Sequence, residues 1–312
     1  MPLEENGGSR CQVLIVGSVA LDTVSTPFGT ASEALGGAAT YAGVAASFYA
    51  PVRLVAVIGE DFPPEHLDRL AARGIDLQGL RRQAGRTFRW AGYYEYDMSQ
   101  AHTVSTQLNV FEGFSPQIPE SYRDTPYVFL ANIDPDLQLR VLSQMRQPRL
   151  TICDTMDYWI AGKRDQLLAV LSRVDIALMN DAEARQLCGT PSLVSAARQL
   201  LALGPSTVII KKGEHGAVMF TPDSHFSAPG YPLEEVRDPT GAGDSFAGGL
   251  IGYLAYTDDP TEDNLRKAVI YGSVMASFNV EDFSLNRFWS LRAEGIVNRY
   301  REFSEITRFA PA

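Results

Sequence analysis

The chain has 312 residues, of which 45% are hydrophobic and 21% charged, with a formal net charge of −10. That composition excludes a wholly disordered or fibrous chain, and the length suits one large α/β domain with an appendage, or two domains. No lysine or arginine stripe relieves the acidity, because acidic residues follow the cluster Arg81, Arg82, Arg86 and Arg89, so no nucleic-acid partner is expected.

In chain order, residues 1–10 are polar, carry Gly7-Gly8-Ser9 and read as a disordered leader to one folded region, 11–312. No signal-peptide h-region precedes the first strand. Residues 12–17 (QVLIVG) form a continuous apolar run ending in glycine, the pattern of a strand buried on both faces. The pattern recurs at 52–59, 127–131, 150–154, 175–180 and 207–211. Helical periods lie between: 38–50, small and apolar and ended by Pro51; 64–73, opened by Pro64 and stopped at Gly74; 165–173; and 182–188. Strands alternating with helices predict an α/β fold, with a mostly parallel central sheet and helices on both faces. Right-handed crossovers then line up the strand C-termini along one edge, where ligands bind.

Residues 87–96 and 101–111 break the rhythm. They are aromatic and β-branched, alternate, and flank a turn at 97–100, which predicts a hairpin outside the main sheet with 19–27 as a candidate neighbour. This small β sheet, built from segments near 19–35 and 86–112, serves either as a lid or as an edge decoration. Rich in tyrosine, it is also the expected surface for a homodimer. Residues from 286 onward read as one or two outer amphipathic helices. Cys11, Cys153 and Cys188 are scattered without metal-ligand spacing, read as small buried hydrophobes, and imply a reducing, cytoplasmic compartment. No apolar run is long enough to cross a bilayer, so no membrane partner is expected.

Residues 236–250 (VRDPTGAGDSFAGGL) carry the chemistry. Gly241 and Gly243 allow a tight turn, and Phe246, Leu250 and Leu254 mark one face of the helix that follows. The free amides at that helix start form an anion site. Asp244 lies in the first turn, where the dipole keeps a carboxylate ionised and able to accept a proton. A carboxylate beside a helix-end anion hole suits phosphoryl transfer. The bland alternative is a glycine turn capped by Asp244. Gly248, Gly249 and Gly252 speak against it, since each costs roughly 1 kcal/mol in a helix and implies close packing or a close ligand. There is no G-x-x-x-x-G-K-[ST] loop. The run after Gly241 also lacks the third glycine of the dinucleotide fingerprint, so an NAD enzyme is not expected.

The segment Asp238-Pro-Thr-Gly-Ala-Gly-Asp244 resembles the C-terminal signature of the PfkB, ribokinase-like carbohydrate kinases. Gly36-Gly37, opening a small-residue helix, resembles the family's N-terminal signature, and Asn180-Asp-Ala-Glu183 resembles its Asn-x-x-Glu motif. Order and spacing agree, so the resemblance spans roughly residues 12–280. It implies a ribokinase-like fold, ATP and Mg²⁺ as cofactors, Asp244 as the catalytic base, and Gly241, Ala242 and Gly243 as the anion hole. Pro239 stands where the family often has threonine, with no expected loss of activity.

Asn180 and Glu183 face the same way in a helix's first turn, fitting either a capping box or, as the resemblance implies, magnesium held through water. Lys212 and Gly213 begin a turn like the family's turn beside the nucleotide, where Lys212 either touches phosphate or faces solvent. His215 points to solvent and is given no role. Thr240 belongs to the nucleotide site as well, and Ala276, Ser277 and Asn279 resemble the adenine-side wall.

For the acceptor, Asp22 follows the first strand as does the acidic residue that binds substrate hydroxyls in many members, and a carboxylate there takes two hydrogen bonds from a diol. Its alternative is a surface turn. Gly36 and Gly37 complete that side. Where the family places an asparagine against the sugar, this chain has Tyr41, a ring face and one hydroxyl; a flat or aromatic group, or a cyclitol, is then expected. Thr40 supplies a hydroxyl or faces the core. Asn109, Asn132 and Asp154 are further candidates for the pocket. The expected activity is ATP-dependent phosphorylation of a hydroxyl on a sugar or sugar-like polyol. The alternatives are a nucleoside or inositol kinase of the same family, or a non-catalytic sugar or nucleotide sensor on the same fold.

Overall fold

The computed structural model describes residues 11–308, so the expected leader, 1–10, lies outside them. The six apolar runs become parallel strands because both faces of each are covered: β1 (Val13–Val16) is wholly buried along its length. The first half of the chain continues with β2 (Ala20–Thr26), β3 (Gly29–Gly36), α1 (Ala38–Ala46), β4 (Val52–Gly59), α2 (Pro64–Ala72), β5 (Ile75–Gln83), β6 (Phe88–Tyr94) and β7 (Ala101–Gln107). Then come β8 (Tyr127–Leu130), α3 (Pro135–Gln144), β9 (Leu150–Asp154), α4 (Asp157–Gly162), α5 (Arg164–Leu171), β10 (Ile176–Asn180), α6 (Asp181–Cys188) and α7 (Leu193–Leu201). The last third holds β11 (Thr207–Lys211), β12 (Ala217–Phe220), β13 (His225–Ala228), α8 (Ala242–Thr257), α9 (Glu262–Asn279), α10 (Asn286–Ser290) and α11 (Ala293–Ile306).

The nine-stranded sheet runs β13-β12-β11-β10-β9-β8-β1-β4-β5, parallel from β5 to β11 and antiparallel for β12 and β13. From β1 the chain builds one way to β4 and β5, then returns to build the other way from β8. The switch point therefore lies at the C-terminal ends of β1 and β8, where open α/β sheets bind ligands. Gly17, just past β1, makes room there: a Cβ on it would lie 2.7 Å from the Cβ of Ala131.

The second sheet has four strands, in the order β3-β2-β6-β7. The expected hairpin is β6–β7, and β2 does join it, pairing parallel to β6. Three contacts tie this sheet to the C-terminal half. Thr26 Oγ1 donates to the Arg237 carbonyl at 2.9 Å, Ser284 Oγ to the Leu35 carbonyl at 2.5 Å, and Thr240 Oγ1 to the Tyr94 hydroxyl at 3.3 Å.

The glycines of α8 serve helix packing. A Cβ on Gly248 would lie 2.2 Å from the Ala42 carbonyl oxygen of α1, and one on Gly249 would lie 2.8 Å from the Tyr271 carbonyl oxygen of α9. Backbone cannot step aside as a side chain can. Gly248→Ala is therefore expected to force α1 and α8 apart and cost about 1–3 kcal/mol, read as a lower Tm.

Candidate active site

The turn before α8 is shaped by residues from three directions. Asp238 is buried and accepts from the Thr240 amide at 2.9 Å and the Ser284 amide at 3.1 Å. Asn279, at the end of α9, donates to the Thr240 carbonyl at 2.7 Å and accepts from Ser245 Oγ at 3.0 Å. Gly241 then takes φ +76°, a left-handed conformation in which a Cβ would lie 2.4 Å from the ring of Tyr41. The turn closes with the Ala242 amide donating to the Pro239 carbonyl at 3.1 Å. Among the described residues, the amides of Gly241, Gly243 and Asp244 find no acceptor. The free donors at the positive end of α8 are thus Gly241, Gly243 and Asp244, and the expected contribution of Ala242 is corrected: its amide is spent inside the turn.

Asp244 stands in the first turn of α8. Burial pushes its carboxyl up to about 7; the charge of Asp154 adds to this and that of Lys211 opposes it. Asp22, on β2, is buried against the Gly36-Gly37 turn, where the Gly37 amide donates to its Oδ2 at 3.3 Å. A Cβ on Gly36 would fall 1.9 Å from that oxygen, so a side chain there would displace the carboxylate. Asp22 too is pushed up to about 7, first by burial, against the Gly37 amide and with the charges of Asp238 and Asp244.

A second cluster joins the ends of β9, β10 and β11. Lys211, the last residue of β11, reaches across β10 and pairs with Asp154 of β9, Nζ to Oδ2 at 2.6 Å. A Cβ on Gly243 would lie 3.1 Å from that ammonium, so Lys211 sits beside the α8 turn. Burial works against its charge, but Asp154, Glu183 and Asp244 together hold its pKa above the usual lysine range. Glu183 is pushed up to about 7 by burial, with Lys211 opposing and Asp154 adding. Asn180 and Glu183 form a complete capping box: Asn180 donates from its amide and Nδ2 to the two carboxyl oxygens, both at 2.7 Å, and accepts from the Glu183 amide at 2.8 Å.

The other expected residues are placed less centrally. Asp154, a candidate for the pocket, is buried at the end of β9 and paired with Lys211. Tyr41 is 2% exposed; its ring forms the floor under Gly241 and presents no open face. Thr40 is fully buried, with no partner for Oγ1 among the described residues, and faces the core. Asn279 is 1% exposed and has both ends of its amide engaged behind the turn, and Ser277 is buried and bonded to the Val274 carbonyl; neither stands as an open adenine wall. Asn109 donates to the Thr87 carbonyl at 2.9 Å, and Asn132 accepts from Trp159 Nε1 at 3.1 Å. Lys212 begins a turn in which Gly213 and His215 are exposed. Among the described residues, no group of three or more histidines, cysteines or carboxylates could by itself hold a metal.

Free amides and a carboxylate side by side at a helix start suit group transfer to a hydroxyl, and comparison with known proteins agrees with that chemistry. The profile of the pfkB family carbohydrate kinases matches residues 13–290. The chain belongs to that family. It is a phosphotransferase that acts on a hydroxyl of a sugar or nucleoside. This pfkB-family kinase is 36% identical over 250 residues to a cytidine kinase of Thermococcus kodakarensis, covering 77% of this chain and 88% of that one. The nucleoside kinase of Methanocaldococcus jannaschii superposes with a TM-score of 0.76 at 21% identity, over 95% of this chain and all of that one. An Escherichia coli protein described as ribokinase II, solved with ATP and Mg²⁺, superposes with a TM-score of 0.77 at 19% identity, over 94% and 99%. The fold is thus ribokinase-like, as expected. No helix of the described residues is long and apolar enough to cross a membrane.

Proposed function

We propose that the enzyme transfers the γ-phosphoryl group of ATP to the 5′ hydroxyl of a ribonucleoside, with Asp244 taking the hydroxyl proton. The observation that carries this reading is a pair of carboxyls, Asp22 buried on the Gly36-Gly37 turn and Asp244 half-buried at the start of α8, near enough for the charge of Asp244 to act on Asp22. Ionised Asp22 accepts from two neighbouring hydroxyls at once. A ribonucleoside has one such pair, 2′ and 3′, and seating it on Asp22 leaves the 5′ hydroxyl for Asp244. Similarity to the cytidine kinase supports a nucleoside over a free sugar.

The amides of Gly241, Gly243 and Asp244 receive the phosphoryl group. Lys212, Gly213 and Thr240 take the nucleotide side, and the small sheet, through Tyr94, closes over the acceptor as a lid. Mg²⁺, when bound with the phosphates, would supply charge neutralisation there. Asn180 and Glu183 fit a contact through metal-bound water, because each Glu183 oxygen accepts one hydrogen bond from Asn180 and keeps a lone pair free.

The test is ADP release with cytidine, uridine, adenosine, ribose, fructose and myo-inositol as acceptors. A ribonucleoside is expected to give the highest kcat/KM. Faster turnover of a free sugar or of inositol than of any nucleoside would replace the acceptor assigned to this site.

A further inference from the structure

We propose that Lys211 is a catalytic residue, its ammonium holding the transferred phosphoryl group against the first turn of α8. The inference rests on phosphoryl transfer at Asp244 but not on which acceptor is used.

Three observations place it there. The ammonium lies beside Gly243, one of the turn's free amide donors, 3.1 Å from where a Cβ would stand. Its one hydrogen bond among the described residues is to Asp154, so two of its three N–H donors remain for a ligand in a half-buried position. Asp154 pairs with it at 2.6 Å, and Glu183 and Asp244 stand near enough for their charges to act on it. One cation among three carboxyls leaves the site net negative, hostile to a polyphosphate unless a positive group touches the phosphate itself. Asp154 then acts as a positioning residue: it fixes a flexible lysine so that its free N–H groups point at the turn.

In the step, the acceptor oxygen bonds to the γ-phosphorus as its proton passes to an Asp244 carboxyl oxygen. The bond from that phosphorus to the β,γ-bridging oxygen breaks, and ADP leaves with the electron pair. Lys211 keeps its proton throughout and donates to the phosphoryl oxygens, where charge spreads in the transition state.

Lys211→Met alone leaves Asp154 buried and unpaired, so it tests folding as much as catalysis. The informative comparison is Asp154→Asn against Asp154→Asn/Lys211→Met, both full-length, on whichever acceptor the wild type turns over fastest. With no buried carboxylate left to neutralise at residue 154, the double variant is expected to have a kcat about 10²-fold below the single, with a similar Tm and a similar Kd for ADP. A kcat within about 10-fold of the single variant would show that Lys211 only neutralises Asp154, and would overturn the proposal. A wild type that phosphorylates sugars and no nucleoside overturns the proposed acceptor instead and leaves this comparison intact.

Discussion

Asp244→Asn is expected to lower kcat by about 10²–10⁴-fold while leaving the Kd for ADP nearly unchanged. The amide keeps the shape of the carboxyl and the α8 turn intact, but it cannot take the acceptor proton. The native side chain stands at about 7, with burial as the main cause. As a base it works only when ionised, so wild-type kcat/KM is expected to rise with pH through about 7. Stability runs the other way. The folded-state pKa lies above the ordinary aspartate value of about 3.9, so between those values the folded protein binds more protons than the unfolded chain. The stability this carboxyl contributes is present below about pH 4 and is lost as pH rises through about 7. Asparagine does not ionise, so Asp244→Asn is expected to melt above the wild type at pH 8, with the difference closing as the pH falls toward 4. Near-wild-type kcat in this variant would remove Asp244 from its role.

Gly241→Ala is expected to lower kcat by about 10²–10³-fold, the loss typical of a displaced oxyanion donor. Two costs coincide at this residue. A left-handed φ of +76° is unfavourable for alanine by about 1–2 kcal/mol, and the new methyl would meet the Tyr41 ring at 2.4 Å. That ring belongs to α1, is buried and cannot withdraw, so the turn must lift and carry the Gly241 and Gly243 amides with it. Tyr41→Ala opens the space beneath, and Gly241→Ala/Tyr41→Ala is expected to recover part of the lost kcat. No recovery would mean that the backbone conformation alone, not the ring, sets the turn.

How much of this was legible in the sequence depended on how local each cause was. The strands β1, β4, β8, β9, β10 and β11 are continuous apolar runs, and the glycine turn before α8 is a contiguous motif, so both could be read directly. β5 could not, because an edge strand with Asp76, Gln78, Arg81 and Arg82 along it lacks a clean apolar pattern. β3 is mostly exposed and built of small and polar residues, which hid it in the same way. Lys211 is not legible in the sequence for a different reason. In the sequence it is the polar end of a strand with a second lysine, Lys212, beside it; only the order β11-β10-β9 brings the ends of β11 and β9 within one side chain's reach. Tyr41 shows the same limit from the other side. Its position in the N-terminal motif suggested a substrate contact, whereas packing made it the floor of the anion-hole turn.

The central claim is that Asp22 and Asp244 divide the acceptor's hydroxyls, one holding a diol and the other deprotonating what remains. The product tests this most directly: after turnover of ATP with the best ribonucleoside, ³¹P NMR shows which carbon bears the phosphate. The expected product is the 5′ monophosphate, its phosphorus signal split by the two 5′ methylene protons. A 2′ or 3′ phosphate, coupled to a single ring proton, would contradict it.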